Sequence, residues 1–194
     1  MKIGIFGGSF NPPHKMHLDI ALNLISKNYL DKVIYIPTGD SYNKKGLINF
    51  KDRYKMVELL ISDYNILLIS DVGNNENYKY TYQTLDYFKS IYGNDELYFI
   101  CGTDNLNEFD TWKEYKYILE NYKLLVIKRN DDDIDSILNK YSNYLENIII
   151  SNVEPNLLSS TYIRNNINNN DVKTKLDNKV YKYIKDNKLY DKLI

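Results

Sequence analysis

Six short apolar runs, each followed by a stretch of helical periodicity, constrain this chain more than any other feature of its sequence. Lys2–Phe6 (KIGIF), Lys32–Ile36 (KVIYI), Ile66–Ile69 (ILLI), Glu96–Ile100 (ELYFI), Lys123–Ile127 (KLLVI) and Asn147–Ile150 (NIII) are near-continuous rather than alternating. That is how strands buried on both faces read. Between them, amphipathic patterns predict helices over about Met16–Lys27, Phe50–Ser62, Thr81–Tyr92, Thr111–Asn121 and Ile134–Tyr144. Parallel strands need a crossover connection and helices supply one, so the alternation predicts an α/β fold, a doubly wound parallel sheet covered on both faces. Two more helices, about Ser160–Asn168 and Asp177–Asn187, predict a small C-terminal helical segment.

The length, 194 residues, suits one domain spanning 1–194, with 159–194 as its helical C-terminal part. No linker or repeat divides it, and the asparagine-rich Asn165–Asp171 (NNINNND) reads as a surface turn. Loops after strand C-termini build the ligand crevice in such folds. The polar stretches Thr38–Asn49 and Gly73–Lys79 are placed there.

Charge excludes some partners. With 25 basic and 26 acidic residues the net charge is −1, so nothing favours a general binder of nucleic acid or membrane surfaces, and any polyanion site must be local. The one cysteine, Cys101 in LYFICG, excludes an internal disulfide framework and reads as a packing residue in a reducing compartment. No apolar run approaches the roughly 20 residues needed to cross a bilayer. MKIGIFGG is interrupted too soon for a signal peptide. The expectation is a cytoplasmic protein without nucleic-acid or membrane partners, with a homo-oligomer left open.

The chemistry concentrates where the first apolar run ends. GGSFNPPHKMH, Gly7–His17, holds both histidines of the chain. Gly7 and Gly8 allow a sharp turn and close approach of a ligand, and Pro12 and Pro13 fix the entry to the next helix. His14 then lies just before, and His17 within, a first helical turn, whose free N–H groups and partial positive charge make an anion site. Both rings are expected to face bound phosphate rather than the core. A zinc site would need a third Cys or His ligand that the pattern does not supply. Neither G-x-G-x-x-G nor G-x-x-x-x-G-K-[ST] occurs, which weakens the dehydrogenase and P-loop readings. Two structural histidines are the remaining alternative.

Other stretches are ambiguous one by one. Ser159-Ser160-Thr161 followed by Arg164 is an ordinary capped helix when taken alone. Beside the histidine motif it becomes the second half of a triphosphate clamp. Gly102-Thr103-Asp104 reads as a turn with an Asp cap, or as a ribose contact. Trp112, the only tryptophan, reads as core when taken alone. Lys44 and Lys45 serve phosphate or solubility.

Together these stretches resemble a known family. GGSFNPPHKMH is similar to the (H/T)-x-G-H signature of nucleotidyltransferases, which join ATP to a phosphate-bearing acceptor. YTYQTL (Tyr80–Leu85), CGTDNLNEFDTWKEY (Cys101–Tyr115), LLVIKR (Leu124–Arg129), LSSTYIR (Leu158–Arg164) and YIKDNKLY (Tyr183–Tyr190) resemble, in order, motifs of the nicotinate-nucleotide adenylyltransferases. The resemblance covers nearly the whole chain. It implies a Rossmann-like fold and adenylyl transfer from ATP to nicotinate mononucleotide in NAD biosynthesis, giving nicotinate adenine dinucleotide and pyrophosphate. Mg²⁺ would be carried with ATP, with no metal ligand from the protein.

The same resemblance implies catalytic roles for His14, His17 and Arg164. It implies ATP contacts from Gly7, Gly8, Ser9, Phe10, His14, His17, Gly102, Asp104, Ser159, Ser160, Thr161 and Arg164. Acceptor contacts would come from Ser9, Lys44, Thr81, Tyr82, Asp104, Trp112 and Lys113, with Trp112 stacked on the pyridine ring. Backbone N–H groups near Tyr82 and Lys113 would meet the nicotinate carboxylate. Two positions depart from the pattern. Met16 stands where the signature has Gly, as in animal enzymes that use nicotinamide mononucleotide, and Asn43-Lys44-Lys45 stands where bacterial relatives often have Pro-Pro-His-Lys. These departures bear on the acceptor, with nicotinamide mononucleotide the alternative, and leave the reaction class intact. The separate rivals are a phosphopantetheine or cytidine substrate, which Trp112 and YTYQTL speak against, and a non-catalytic nucleotide-binding module, which the intact histidine and S-S-T-x-x-R motifs speak against.

Overall fold

A computed structural model describes residues 1–42, 44–128, 133–154 and 158–191, so Asn43 and Arg129 fall outside the described residues. Six strands form one sheet: β1 Lys2–Gly8, β2 Lys32–Pro37, β3 Leu67–Ile69, β4 Glu96–Gly102, β5 Lys123–Ile127 and β6 Ile148–Ser151. Every pairing is parallel, in the order β3-β2-β1-β4-β5-β6. This is the order of the Rossmann-like doubly wound sheet, and its strand order reverses between β1 and β4.

Side chains alternate between two cores. From β1, Ile3 and Ile5 enter one and Phe6 the other; from β4, Leu97, Phe99 and Cys101 oppose Tyr98 and Ile100. That is the period of two that a pleated strand imposes. Over one face pack the helices α1 (Lys15–Ser26) and α2 (Phe50–Ile61), through Ile20, Leu24, Met56, Val57 and Leu60. Over the other pack α3 (Thr81–Tyr92), α4 (Thr103–Asn107) and α5 (Tyr115–Asn121), through Leu85, Phe88, Leu106, Ile118 and Leu119. After β5 comes α6 (Ile134–Asn139), and after β6 come α7 (Ser160–Asn165), α8 (Asn170–Lys175) and α9 (Asn178–Asp186). The last three add Ile163, Val172, Val180 and Ile184 to the α1–α2 core.

Local chemistry starts several of these helices. Asn49 caps α2 by accepting from the Asp52 N–H at 2.9 Å, and Ser159 caps α7 by accepting from that of Tyr162 at 3.1 Å. Asp177 does the same for α9 through Lys179 at 2.8 Å. The loops after β2 and β3 meet backbone to backbone. A Cβ at Gly39 would come 2.5 Å from the Gly73 carbonyl, and one at Gly73 would come 2.3 Å from that of Pro37, so only glycine fits either place.

Four expectations need correction. The stretch 111–121 is not one helix: a 3₁₀ turn over Phe109–Thr111 gives way to extended Trp112 and left-handed Glu114 (φ 55°) before α5 begins. The predicted helix over Ile134–Tyr144 ends at Asn139 and resumes as a 3₁₀ turn over Ser142–Asn147, because Tyr141 is drawn inward to bond the Leu106 carbonyl at 2.7 Å. The helix at Ser160 stops at Asn165 rather than Asn168, and the asparagine-rich turn leads straight into α8, which buries Val172. Gly102-Thr103-Asp104 opens α4 instead of forming a simple turn. No helix among the described residues is long and apolar enough to cross a membrane.

Candidate active site

The crevice lies beyond the C-terminal ends of β1 and β4, where strand order reverses. β1 ends at Gly8, and the chain turns back through Phe10, a non-glycine residue in the left-handed region (φ 45°) that is buried beside it. A Cβ at Gly8 would sit 3.1 Å from the Phe10 ring, tighter than an ordinary contact, so the small residue eases this fold-back. A cis peptide joins Asn11 to Pro12. His14 follows as the N-cap of α1, in extended conformation, and His17 stands in its first turn.

The two imidazoles lie against each other, ring centroids 3.9 Å apart. The His14 backbone N–H donates to Nδ1 of His17 at 3.2 Å, so a neutral His17 ring carries its proton on Nε2. Phe10 packs edge-on to His17 at 5.0 Å, and Tyr35 donates to the His17 carbonyl at 2.8 Å. His14 is only 2 % exposed and His17 half-buried, so the pair is enclosed more deeply than a phosphate-facing expectation implies. The physical reason is the aromatic cluster of Phe6, Phe10 and Tyr35 on which the loop folds. Met16, the departure from the signature, is buried in the α1–α2 core.

The C-terminal helices reach the same loop. Arg164 Nη1 donates to the Asn11 carbonyl at 2.6 Å and Nη2 to Thr161 Oγ1 at 3.1 Å. Ser160 Oγ donates to the Pro12 carbonyl at 2.9 Å. The histidine motif and S-S-T-x-x-R, widely separated in sequence, are thus bonded to one another. Ser159 and Thr161 are exposed at that helix start.

On the β2 side, Lys44 Nζ donates to Ser9 Oγ at 3.3 Å, bringing together two expected acceptor contacts. The remaining ones lie across the β4 side of the crevice. Gly102 caps α4 and Asp104 is exposed in its first turn. Thr81 and Tyr82 are the first two residues of α3, where N–H groups lack intrahelical acceptors. Trp112 is half-buried, its ring 5.7 Å from Phe99 and 5.0 Å from Phe109, with exposed Lys113 beside it. The Phe99 ring in turn would lie 3.5 Å from a Cβ on Gly7, an ordinary contact distance, so this ring neighbours both the tryptophan and the first-strand glycines.

Sequence reasoning missed three residues here. Asn11 is 5 % exposed; its Nδ2 donates to the Gly46 carbonyl at 2.8 Å, and its Oδ1 accepts from Tyr190 at 2.9 Å. In the sequence Tyr190 stands out only as the end of the YIKDNKLY motif. Arg53, on α2, is wholly buried and donates to the Ser9 carbonyl at 3.1 Å. Burial lowers its pKa, and the bond to Asp40 draws it back up. Only an arginine inside an otherwise amphipathic helix signals it in the sequence. No group of three or more His, Cys, Asp or Glu among the described residues is arranged to hold a metal ion.

Comparison with known proteins gives the family. The cytidylyltransferase-like profile matches residues 5–166. A probable nicotinate-nucleotide adenylyltransferase of Acholeplasma laidlawii is 37 % identical over 156 residues, 77 % of this chain and 82 % of that one. One from Clostridium tetani is 39 % identical over 140 residues, 71 % and 70 % of the two chains. In fold, the Plasmodium falciparum nicotinic acid mononucleotide adenylyltransferase complexed with NaAD superposes with a TM-score of 0.81 at 22 % identity, over 98 % of this chain and 97 % of that one. Matching that profile along most of its length, and more than a third identical to such relatives, the chain belongs to the cytidylyltransferase-like family, among the nicotinate-nucleotide adenylyltransferases.

Proposed function

We infer that this protein transfers the adenylyl group of ATP to nicotinate mononucleotide, releasing pyrophosphate and forming nicotinate adenine dinucleotide. The observation that carries the reading is the bonding of Arg164 and Ser160 to the Asn11 and Pro12 carbonyls. It joins two anion-binding segments at the mouth of a nucleotide crevice. The relatives' names and the neighbouring structures, complexed with NaAD and with APC, support the same substrates.

In this reaction an acceptor phosphate oxygen attacks the α-phosphorus of ATP, and the bond to the pyrophosphate oxygen breaks. No covalent intermediate with the enzyme is needed. Positioning and charge neutralisation supply the rate. His17 offers Nε2–H, the starts of α1 and α7 offer N–H groups, and Arg164 has donors beyond the two already engaged. Mg²⁺ would arrive on ATP, held by phosphate oxygens and water, and would neutralise the leaving charge. A cytoplasmic setting accords with a lone cysteine in a buried strand.

The acid is preferred over the amide because the start of α3 and the backbone at Lys113 present N–H donors. A carboxylate makes charge-assisted bonds there, whereas a carboxamide turns its own NH₂ toward a donor. An unpaired buried polar group costs about 1–3 kcal/mol, so kcat/KM should favour the acid by roughly five-fold to beyond a hundred-fold. Pyrophosphate release from ATP and Mg²⁺ with each mononucleotide tests this. Equal values, or a preference for the amide, overturn acid specificity; no release with either overturns adenylyl transfer.

A further inference from the structure

Arg53 heads the fully buried side chains by size, and its hydrogen-bond partners all lie in loops. Taking a guanidinium out of water is unfavourable unless each donor is satisfied. Here each is. Nε donates to the Ile48 carbonyl at 2.8 Å, Nη1 to the Ser9 carbonyl at 3.1 Å and to Thr38 Oγ1 at 3.5 Å, and Nη2 to Asp40 Oδ1 at 3.3 Å. Asp40 is the only anion among these, and its side chain is 56 % exposed. Ser9 belongs to the loop after β1, whereas Thr38, Asp40 and Ile48 belong to the loop between β2 and α2. That second loop carries Lys44, whose ammonium touches Ser9 Oγ. One planar fork therefore spans the two segments between which the acceptor's phosphate is expected.

We propose that Arg53 is a positioning residue for the acceptor, holding the Ser9 loop and the Lys44 loop at the separation that seats the phosphate of nicotinate mononucleotide. The inference rests on the adenylyl-transfer reading above and on Ser9 and Lys44 as acceptor contacts. Arginine suits the task because its donors diverge in one plane toward both loops at once. A lysine at the same place has a single ammonium and cannot reach both. Arg53 touches no substrate; it acts through Ser9 and Lys44.

The test is steady-state kinetics of Arg53→Lys with ATP and nicotinate mononucleotide varied separately, alongside calorimetric binding of nicotinate mononucleotide. The expected result is a KM and Kd for the mononucleotide raised about tenfold, the scale of one charge-assisted hydrogen bond, with the KM for ATP and kcat within about threefold. Lys44→Ala should also cost less in the Arg53→Lys background than in the wild type, because the loop is already displaced. A folded Arg53→Lys enzyme with wild-type mononucleotide KM, or with the ATP KM raised equally, overturns the proposal. Should Arg53→Lys not fold, the double variant Thr38→Val/Asp40→Ala, on the loop side of the same fork, must raise the mononucleotide KM alone; no change there also overturns it. Wild-type protein that releases no pyrophosphate would instead sink the adenylyl-transfer reading.

Discussion

The phenol of Tyr190 donates to Oδ1 of Asn11 at 2.9 Å, across 179 positions of sequence. Two other polar atoms of Asn11 are also committed. Its amide nitrogen holds the Gly46 carbonyl at 2.8 Å, and its own carbonyl receives Arg164 at 2.6 Å. A single asparagine thus joins the histidine loop, the Lys44 loop, α7 and the segment after α9.

Tyr190→Phe keeps the ring and removes the donor. Asn11 Oδ1 would retain only the Ile48 N–H at 3.5 Å. Unfolding free energy from urea titration should fall by about 1–3 kcal/mol, the cost of a buried acceptor left without its partner. Unchanged stability would mean that water replaces the phenol without loss.

His17→Ala should lower kcat by about 10²–10³ while leaving the KM for ATP within a few-fold, as removal of one preorganised donor does elsewhere. The variant also loses the ring that Phe10 packs against. Circular dichroism must therefore show a folded protein before the rate is read. Near-normal turnover in a folded variant would remove His17 from the mechanism.

Arg164→Ala should weaken productive use of ATP, and Arg164→Lys should restore it only in part. The guanidinium bridges the Asn11 carbonyl and Thr161 Oγ1 and still has donors for phosphate; an ammonium cannot hold all three. Full rescue by lysine, measured as kcat/KM for ATP, would rule out the fork as the useful feature.

Stability should fall steeply in alkali. Burial raises the pKa of both Tyr35 and Tyr190 far above the ordinary tyrosine value of 10.0. Their contribution is complete below about pH 10, where unfolded tyrosine is also neutral. As pH rises further, the unfolded chain releases protons that the folded chain keeps. Each such tyrosine then removes about 1.4 kcal/mol per pH unit, roughly 3 kcal/mol for the pair. Urea midpoints measured on either side of pH 10 check the slope, and Tyr35→Phe should reduce it by about 1.4 kcal/mol per pH unit. A flat profile would show that both phenols ionise in place.

Fold and site were unequally legible. The β-strands were plain because buried parallel strands are continuous apolar runs, although β1 and β4 extend two residues further, to Gly8 and Gly102. Short helices were not. α4 has five residues and no full apolar period, and the composition of Asn165–Asp171 hid the start of α8. Trp112 broke its predicted helix for a tertiary reason: an extended residue followed by left-handed Glu114 lays the indole against Phe99 and Phe109. Motifs located the histidines, Arg164 and Trp112. What they could not show was Arg53, because KDRYKM has the look of a solvated helix face until the carbonyls of two distant loops close over it.

The neighbour of Asn11 has a consequence for chemical ageing. Asparagine deamidates chiefly when the following backbone nitrogen attacks the side-chain amide, a step that needs an N–H to lose its proton. Pro12 has none. In a chain rich in asparagine, the one whose amide ties the site together is closed to that route. An aspartate there would set a carboxylate oxygen against the Gly46 carbonyl in place of the present 2.8 Å hydrogen bond. Peptide mapping of aged protein should therefore find aspartate at exposed Asn74 or Asn75 before position 11, and the site should keep its geometry while the surface slowly gains charge.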